Sequence, residues 1–123
     1  MRKLLIVDDS RFIRLAVRRI VESLGFAADE VENGQQALDY LQKSGPPDGI
    51  LLDVMMPVMD GLTFLRAVRQ DPRFQQLIIV VCTTRSAMEE IQAAVEAGAN
   101  EYIMKPFTDE ILADKLRQVG ILA

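Results

Sequence analysis

Acidic residues end two separate apolar runs of this chain. Asp8 and Asp9 follow the run at residues 4–7, and Asp53 follows the run at residues 50–52. Such runs, with Val or Ile among them, are typical of strands buried on both faces in a parallel sheet. Ligands of an open α/β sheet bind outside the carboxyl ends of its strands, so the three carboxylates are predicted to converge if these strands are neighbours. Oxygen ligands without histidine favour Mg²⁺, with Mn²⁺ as an alternative.

A hydroxyl and an amine occupy similar positions in the second half of the chain. Thr83 directly follows the run at residues 77–82, and Lys105 directly follows a short run at residues 102–104. Together with the carboxylates they supply ligands for a metal ion, a hydroxyl donor and one positive charge. This set of groups can bind a phosphoryl group and neutralise its charge. A carboxylate can itself be the nucleophile, which gives an aspartyl phosphate.

The elements that must position these residues follow from periodicity. Strands are predicted at residues 4–7, 26–31, 50–52, 77–81 and 102–104, and helices at residues 11–24, 35–41, 63–68, 88–97 and 109–119. This alternation predicts an α/β fold, a doubly wound five-stranded parallel sheet with five helices. Gly25 and Gly98 stand where helices should stop, and Thr108 stands where the last helix should begin. Ser86 with Glu89 forms a capping box.

Length and charge restrict the class of protein. At 123 residues and 50% hydrophobic, the chain is predicted to be one domain over residues 1–123. A net charge of −4 argues against nucleic-acid binding. Arg11, Arg14 and Arg18 follow one helical stripe, which predicts a solvated face, with a partner or a second messenger as the alternative ligand.

The remaining features of the sequence indicate where in the cell the protein is expected to be. The single cysteine, Cys82, precludes an internal disulfide, suits a reducing compartment and is predicted to be a small buried hydrophobe. The first apolar run is too short for a signal peptide or a membrane span. We therefore expect a cytoplasmic protein without membrane insertion.

The motifs resemble the receiver domain of two-component response regulators over essentially the whole chain. They are Val7-Asp8-Asp9-Ser10, Leu52-Asp53-Val54-Met55-Met56-Pro57, Met59-Asp60-Gly61, Cys82-Thr83-Thr84 and Tyr102-Ile103-Met104-Lys105-Pro106-Phe107. The chain is most similar to the stand-alone, CheY-like chemotaxis receivers. This resemblance implies the flavodoxin/CheY-like strand order 2-1-3-4-5.

The resemblance also implies the roles of individual residues. Asp53 would be the phosphoacceptor, and Mg²⁺ would be held by Asp9, Asp53 and the backbone carbonyl of Met55, with Asp8 acting mainly through a metal-bound water. Lys105 would pair with the phosphoryl group.

The implied switch couples a hydroxyl to an aromatic ring. Thr83 would hydrogen-bond the phosphoryl group, and its movement would open room into which Tyr102 rotates. The readout face is predicted to include Ile91, Tyr102 and Lys115. The Lys105-Pro106 peptide would be cis.

Three residues beside the implied phosphoryl pocket are predicted to tune its chemistry. Met55 and Arg85 occupy family positions that flank the incoming water, and a bulky Met with a long Arg should slow hydrolysis. Thr84 stands where the family usually has Ala or Gly, so it should narrow access to the pocket.

The predicted function is that of a phosphoacceptor, itself not an enzyme beyond self-catalysed phosphorylation and dephosphorylation. The sequence contains no histidine, so a sensor histidine kinase or a histidine phosphotransfer protein must supply the phosphoryl group. The output would be a downstream protein contact in chemotaxis or motility, made by a monomer. The alternative is a phosphotransfer intermediate or adaptor in a multi-step phosphorelay that controls another response.

Two other classes of protein remain as alternatives at this stage. A flavodoxin-like cofactor binder would share the strand order, but Asp8 and Asp9 would repel the phosphate of its cofactor. A metal-dependent phosphatase would use Asp53 on external substrates, yet the sequence shows no substrate cap and no dedicated general acid.

Overall fold

A computed structural model describes residues 2–56, 58–84 and 88–122 of the chain. Its strands are β1 (Lys3–Val7), β2 (Ala27–Val31), β3 (Gly49–Asp53), β4 (Ile79–Thr83) and β5 (Glu101–Met104). Its helices are α1 (Arg11–Ser23), α2 (Gly34–Ser44), α3 (Gly61–Gln70), α4 (Met88–Ala97) and α5 (Asp109–Gln118), with a short 3₁₀ helix at Pro72–Phe74. All neighbouring strands pair in parallel, in the order β2-β1-β3-β4-β5. The predicted fold class and strand order are confirmed.

Helices cover both faces of the sheet. One apolar layer contains alternate residues of the central strands, such as Leu5 and Ile50, packed with Phe64 of α3. The other layer contains the intervening residues, such as Leu4 and Leu51, together with side chains of α1 and α5. Strands β3 and β4 are buried at every position, as their uninterrupted apolar sequences predict. This burial gives the polar residues at their carboxyl ends a rigid support.

Two strand ends differ from the prediction in a way that matters for the site. Asp53 and Thr83 are the last residues of β3 and β4, not the first residues after them. Asp53 pairs with Cys82, and Thr83 pairs with Met104, so the sheet ladder extends to the polar positions. The backbone of these polar residues is therefore fixed by the sheet itself.

Side-chain caps begin the helices where the sequence indicated. The hydroxyl of Ser10 accepts a hydrogen bond from the Ile13 N–H, and that of Thr108 accepts one from the Ile111 N–H. Gly25 has a φ of 91° and Gly98 a φ of 110°, the left-handed conformation that glycine adopts most easily after a helix. Ser86 of the predicted capping box lies outside the described residues.

The arginine stripe of α1 is only partly solvated. Arg11 is exposed as predicted, but Arg14 is buried, with 8% of its surface exposed. Its Nε donates to Oε1 of Glu30 at 3.1 Å, and Arg18 pairs with the other oxygen of that carboxylate at 2.5 Å. The prediction of a solvated stripe was wrong for Arg14, because β2 places the carboxylate of Glu30 beside α1, and the sequence of α1 alone contains no sign of that contact.

Among the described residues, none of the helices combines the length and the apolar composition that crossing a bilayer requires.

Cys82 provides a test of the packing beneath the site. The side chain lies in the apolar layer beside α1 and α5, and burial raises the pKa of its thiol to about 12. Because the thiolate is the reactive form, we expect native protein to resist iodoacetamide at mildly alkaline pH and unfolded protein to react quickly. Mass spectrometry with and without urea measures this difference. Equal rates in the two states would contradict the packing described here.

Candidate functional site

Three carboxylates meet at the carboxyl edge of the sheet. Asp8 and Asp9 directly follow β1, Asp53 ends β3, and these two strands are neighbours. One oxygen from each carboxylate lies within 4.8 Å of the others. Asp8 and Asp53 are buried, whereas Asp9 is exposed. The predicted convergence of the three acids is confirmed.

Lys105 brings a positive charge into this acidic cluster. Its Nζ lies 2.6 Å from Oδ2 of Asp8 and 3.3 Å from Oδ1 of Asp53. The backbone N–H of Lys105 donates to the carbonyl of Thr83 at 2.8 Å, which extends the pairing of β4 and β5 up to the lysine. The Lys105-Pro106 peptide is cis, as predicted.

The negative charge of the cluster exceeds the positive charge that Lys105 supplies. Burial raises the pKa of Asp53 and the charge of Asp8 adds to this effect, while Lys105 and the Met55 N–H oppose it without cancelling it. Burial alone would lower the pKa of Lys105, but the hydrogen bond to Asp8 and the charges of both acids raise it. One ammonium therefore faces three carboxylates, so a divalent ion with oxygen ligands fits this site.

The turn between β3 and α3 requires glycine beneath the central acid. The Gly61 N–H donates to the carbonyl of Val54 at 3.0 Å. A Cβ atom at Gly61 would lie 2.2 Å from the carbonyl oxygen of Asp53, closer than any real contact. The preceding Asp60 caps α3 through the Thr63 N–H. The sequence analysis included Asp60 and Gly61 only within the motif Met59-Asp60-Gly61, and the close contact between Gly61 and Asp53 was not predicted.

Thr83 and Tyr102 border a common cavity of about 190 Å³. Val54, Ile91 and Ala94 also contribute to its walls. Thr83 is buried at the end of β4, while Tyr102 is half-buried on β5 at the edge of the sheet. The cavity therefore lies between the carboxyl end of β4 and the face formed by α4 and β5.

The remaining predicted residues surround this arrangement. Lys115 Nζ lies 5.4 Å from the centre of the Tyr102 ring and 3.5 Å from Oε1 of Glu101. Met55 is 60% exposed two residues after Asp53, and Thr84 is also exposed. Arg85 lies outside the described residues.

This geometry agrees with a family relationship. Residues 4–117 match the model of the response regulator receiver domain. The chain belongs to this family, and it serves as a phosphoacceptor in two-component signalling.

The chain is similar in sequence and structure to several known receivers. Chemotaxis protein CheY1 of Helicobacter pylori is 37% identical over 118 residues, which cover 95% of each protein. The structure of chemotaxis response regulator CheY4 of Vibrio cholerae superposes with a TM-score of 0.89 at 36% identity, over 97% of this chain and 98% of that one. A receiver domain of a Pseudomonas aeruginosa sensor histidine kinase, solved with magnesium coordinated in its active-site cleft, gives a TM-score of 0.87 at 27% identity, over 97% and 98% of the two chains. The protein is thus a homologue of the CheY chemotaxis proteins.

Proposed function

We propose that Asp53 is the phosphoacceptor of this receiver. An oxygen of its carboxylate forms a bond to the phosphorus of the donor, and the bond between phosphorus and the donor atom breaks, with its electron pair leaving on the donor. The observation that carries this assignment is the position of Asp53 at the end of a central strand, in contact with Lys105 and within reach of the other two acids. Lys105 then neutralises charge on the phosphoryl oxygens.

We propose Mg²⁺ as the cofactor, with Mn²⁺ as a substitute. Asp9, Asp53 and the backbone carbonyl of Met55 would hold the ion, and Asp8 would contribute through a water. The short contact between Asp8 and Lys105 supports the indirect role, because that carboxylate is already neutralised by an ammonium. Such an ion would supply positive charge that offsets the negative charge developing on the phosphoryl oxygens.

Thr83 and Tyr102 are the proposed switch. The Thr83 hydroxyl would hydrogen-bond the phosphoryl group, and Tyr102 would turn into the cavity that both residues line. Two packings a few kcal/mol apart suffice for such a switch when the phosphoryl group favours one of them.

The output surface is proposed to be the face of α4, β5 and α5. It contains the predicted contacts Ile91, Tyr102 and Lys115. Exposed apolar side chains of the same three elements support this assignment, namely Val95, Met104 and Ile111. Phosphorylation would change the affinity of this face for a downstream protein.

The signalling context follows from composition and homology. The chain has no histidine, so a histidine kinase or a phosphotransfer protein is the proposed donor. Likeness to CheY proteins favours a chemotaxis output over an intermediate in a longer phosphorelay. We further propose that residues 1–123 form one receiver domain that acts as a cytoplasmic monomer and turns over no external substrate.

The direct test is the intact mass of the protein after incubation with acetyl phosphate. We expect the mass to rise by one phosphoryl group with Mg²⁺ and to stay unchanged with excess EDTA. Mn²⁺ should replace Mg²⁺. Absence of any mass gain with either ion would contradict the proposal, and turnover of a generic phosphate ester would favour a phosphatase.

Met55 and Arg85 give a prediction about the lifetime of the phosphoryl group. The Met55 side chain is exposed two residues after Asp53, and its proposed role is to obstruct in-line water. We expect Met55→Asn with Arg85→Glu to shorten the half-life of the aspartyl phosphate, because small or polar groups admit and orient water. Release of phosphate after removal of acetyl phosphate measures this rate. Unchanged decay would contradict the tuning role, and Thr84→Ala separately tests whether that residue narrows access.

A further inference from the structure

Arg14 makes an unusual contact with the acidic turn. Its Nη1 donates to the backbone carbonyl of Asp8 at 2.7 Å, and its Nε donates to the Glu30 carboxylate. The guanidinium is thereby held between α1, β2 and the end of β1. We propose that Arg14 is a positioning residue that fixes the Asp8–Asp9 peptide in the orientation that metal binding requires, and that Glu30 orients Arg14. This inference rests on the proposed metal site.

The other polar groups of Asp8 are already engaged. Its N–H donates to the Val31 carbonyl at 3.2 Å, and its Oδ1 accepts from the Ser10 N–H at 2.9 Å. Its Oδ2 accepts from Lys105. These contacts fix the amide nitrogen and the carboxylate, and the Arg14 bond to the carbonyl fixes the peptide plane that leads to Asp9.

The position of Asp9 depends on that peptide plane. Asp9 is exposed and is the second residue after β1, which ends at Val7. A rotation of the Asp8–Asp9 peptide would carry the Asp9 backbone with it and move its carboxylate relative to Asp53. A ligand set for Mg²⁺ tolerates little such movement, because the ion demands near-octahedral geometry.

The cost of burying Arg14 supports a role beyond packing. Removing a guanidinium from water is unfavourable, and well-packed apolar side chains commonly replace buried ion pairs without loss of stability. Helix α1 already buries Val17 and Val21 on the same side. The buried charge of Arg14 is therefore accounted for by the two groups that it contacts together, the carboxylate of Glu30 and the carbonyl of Asp8.

Arg18 provides a matched control on the same helix. It pairs with the same Glu30 carboxylate, and within the described part of the chain its ion pairs are with Glu30 and Glu22, not with the acidic turn. Arg18→Met therefore removes one charge from the same network and leaves the Arg14 bond to Asp8 in place.

The test compares Mg²⁺ binding by calorimetry in wild type, Arg14→Met and Arg18→Met. We expect Arg14→Met to weaken Mg²⁺ binding by about tenfold or more, the range typical for loss of a group that orients a metal ligand. Arg18→Met should bind as wild type does, and Glu30→Gln should lie between the two. Wild-type affinity in Arg14→Met would overturn the proposal, as would an equal loss in both methionine variants.

A second measurement is made without metal. The Ser10 N–H donates to Oδ1 of Asp8, and its hydrogen exchange in Mg²⁺-free protein should accelerate in Arg14→Met and not in Arg18→Met. Unchanged exchange in both variants overturns the inference. Failure of wild type to bind Mg²⁺ would contradict the metal site, whereas the exchange result would still test Arg14.

A conservative variant covers the case in which Arg14→Met does not fold. Arg14→Lys keeps the positive charge but lacks the planar guanidinium, whose separate N–H groups contact Asp8 and Glu30 at the same time. Weaker Mg²⁺ binding at an unchanged free energy of unfolding supports the positioning role, and wild-type binding in this variant overturns it.

Discussion

Asp53→Asn will abolish the mass gain that acetyl phosphate and Mg²⁺ produce in the wild-type protein. An amide lacks the anionic oxygen that attacks phosphorus, so no acyl phosphate forms at this position. The substitution also removes one of three converging carboxylates and so weakens metal binding. Intact-mass spectrometry of the two proteins, treated in parallel, measures the loss.

Asp60→Asn is the matched control for this experiment. Asp60 is an exposed acid that caps α3 through the Thr63 N–H, a role that an asparagine side chain also fulfils. We expect Asp60→Asn to be phosphorylated like wild type. If Asp53→Asn kept its mass gain, or if Asp60→Asn lost it, the phosphoacceptor would lie elsewhere.

The chemistry of the site was predictable because each residue ends its own strand. In a parallel sheet all carboxyl ends lie on one edge, so position in the sequence determines position in space. That rule correctly brought together Asp8, Asp9, Asp53 and Lys105. The sequence also placed Thr83 at that edge, directly after the predicted strand, whereas the structure makes it the last residue of β4.

The supporting contacts were not predictable in the same way. Arg14 was read as solvated because helical periodicity compares residues within α1 and contains no information about Glu30 on β2. The role of Gly61 was not predicted, because a glycine has no side chain that could indicate contact with the carbonyl of Asp53. Both contacts depend on how elements dock, which local sequence does not encode.

Lys105→Met will destabilise the metal-free protein by about 3 to 5 kcal/mol, the range expected when one partner of a buried ion pair is removed. Lys105 is 10% exposed and contacts both Asp8 and Asp53, so its loss leaves two buried carboxylates facing each other without a cation. Saturating Mg²⁺ should recover much of this stability, because the ion replaces the missing positive charge and binds only the folded state. Urea unfolding with and without Mg²⁺ measures the change in the free energy of unfolding.

Two further variants test whether the loss of positive charge causes the destabilisation of Lys105→Met. Lys115→Met removes a less buried lysine whose contact with Glu101 is 3.5 Å, so it should cost at most about 1 kcal/mol and show no dependence on Mg²⁺. Adding Asp53→Asn to Lys105→Met should restore stability, since one of the opposed carboxylates becomes neutral. A loss that Mg²⁺ does not reduce and Asp53→Asn does not relieve would show that Lys105 acts through packing. The proposed balance between this ammonium, the metal and the phosphoryl group would then be wrong.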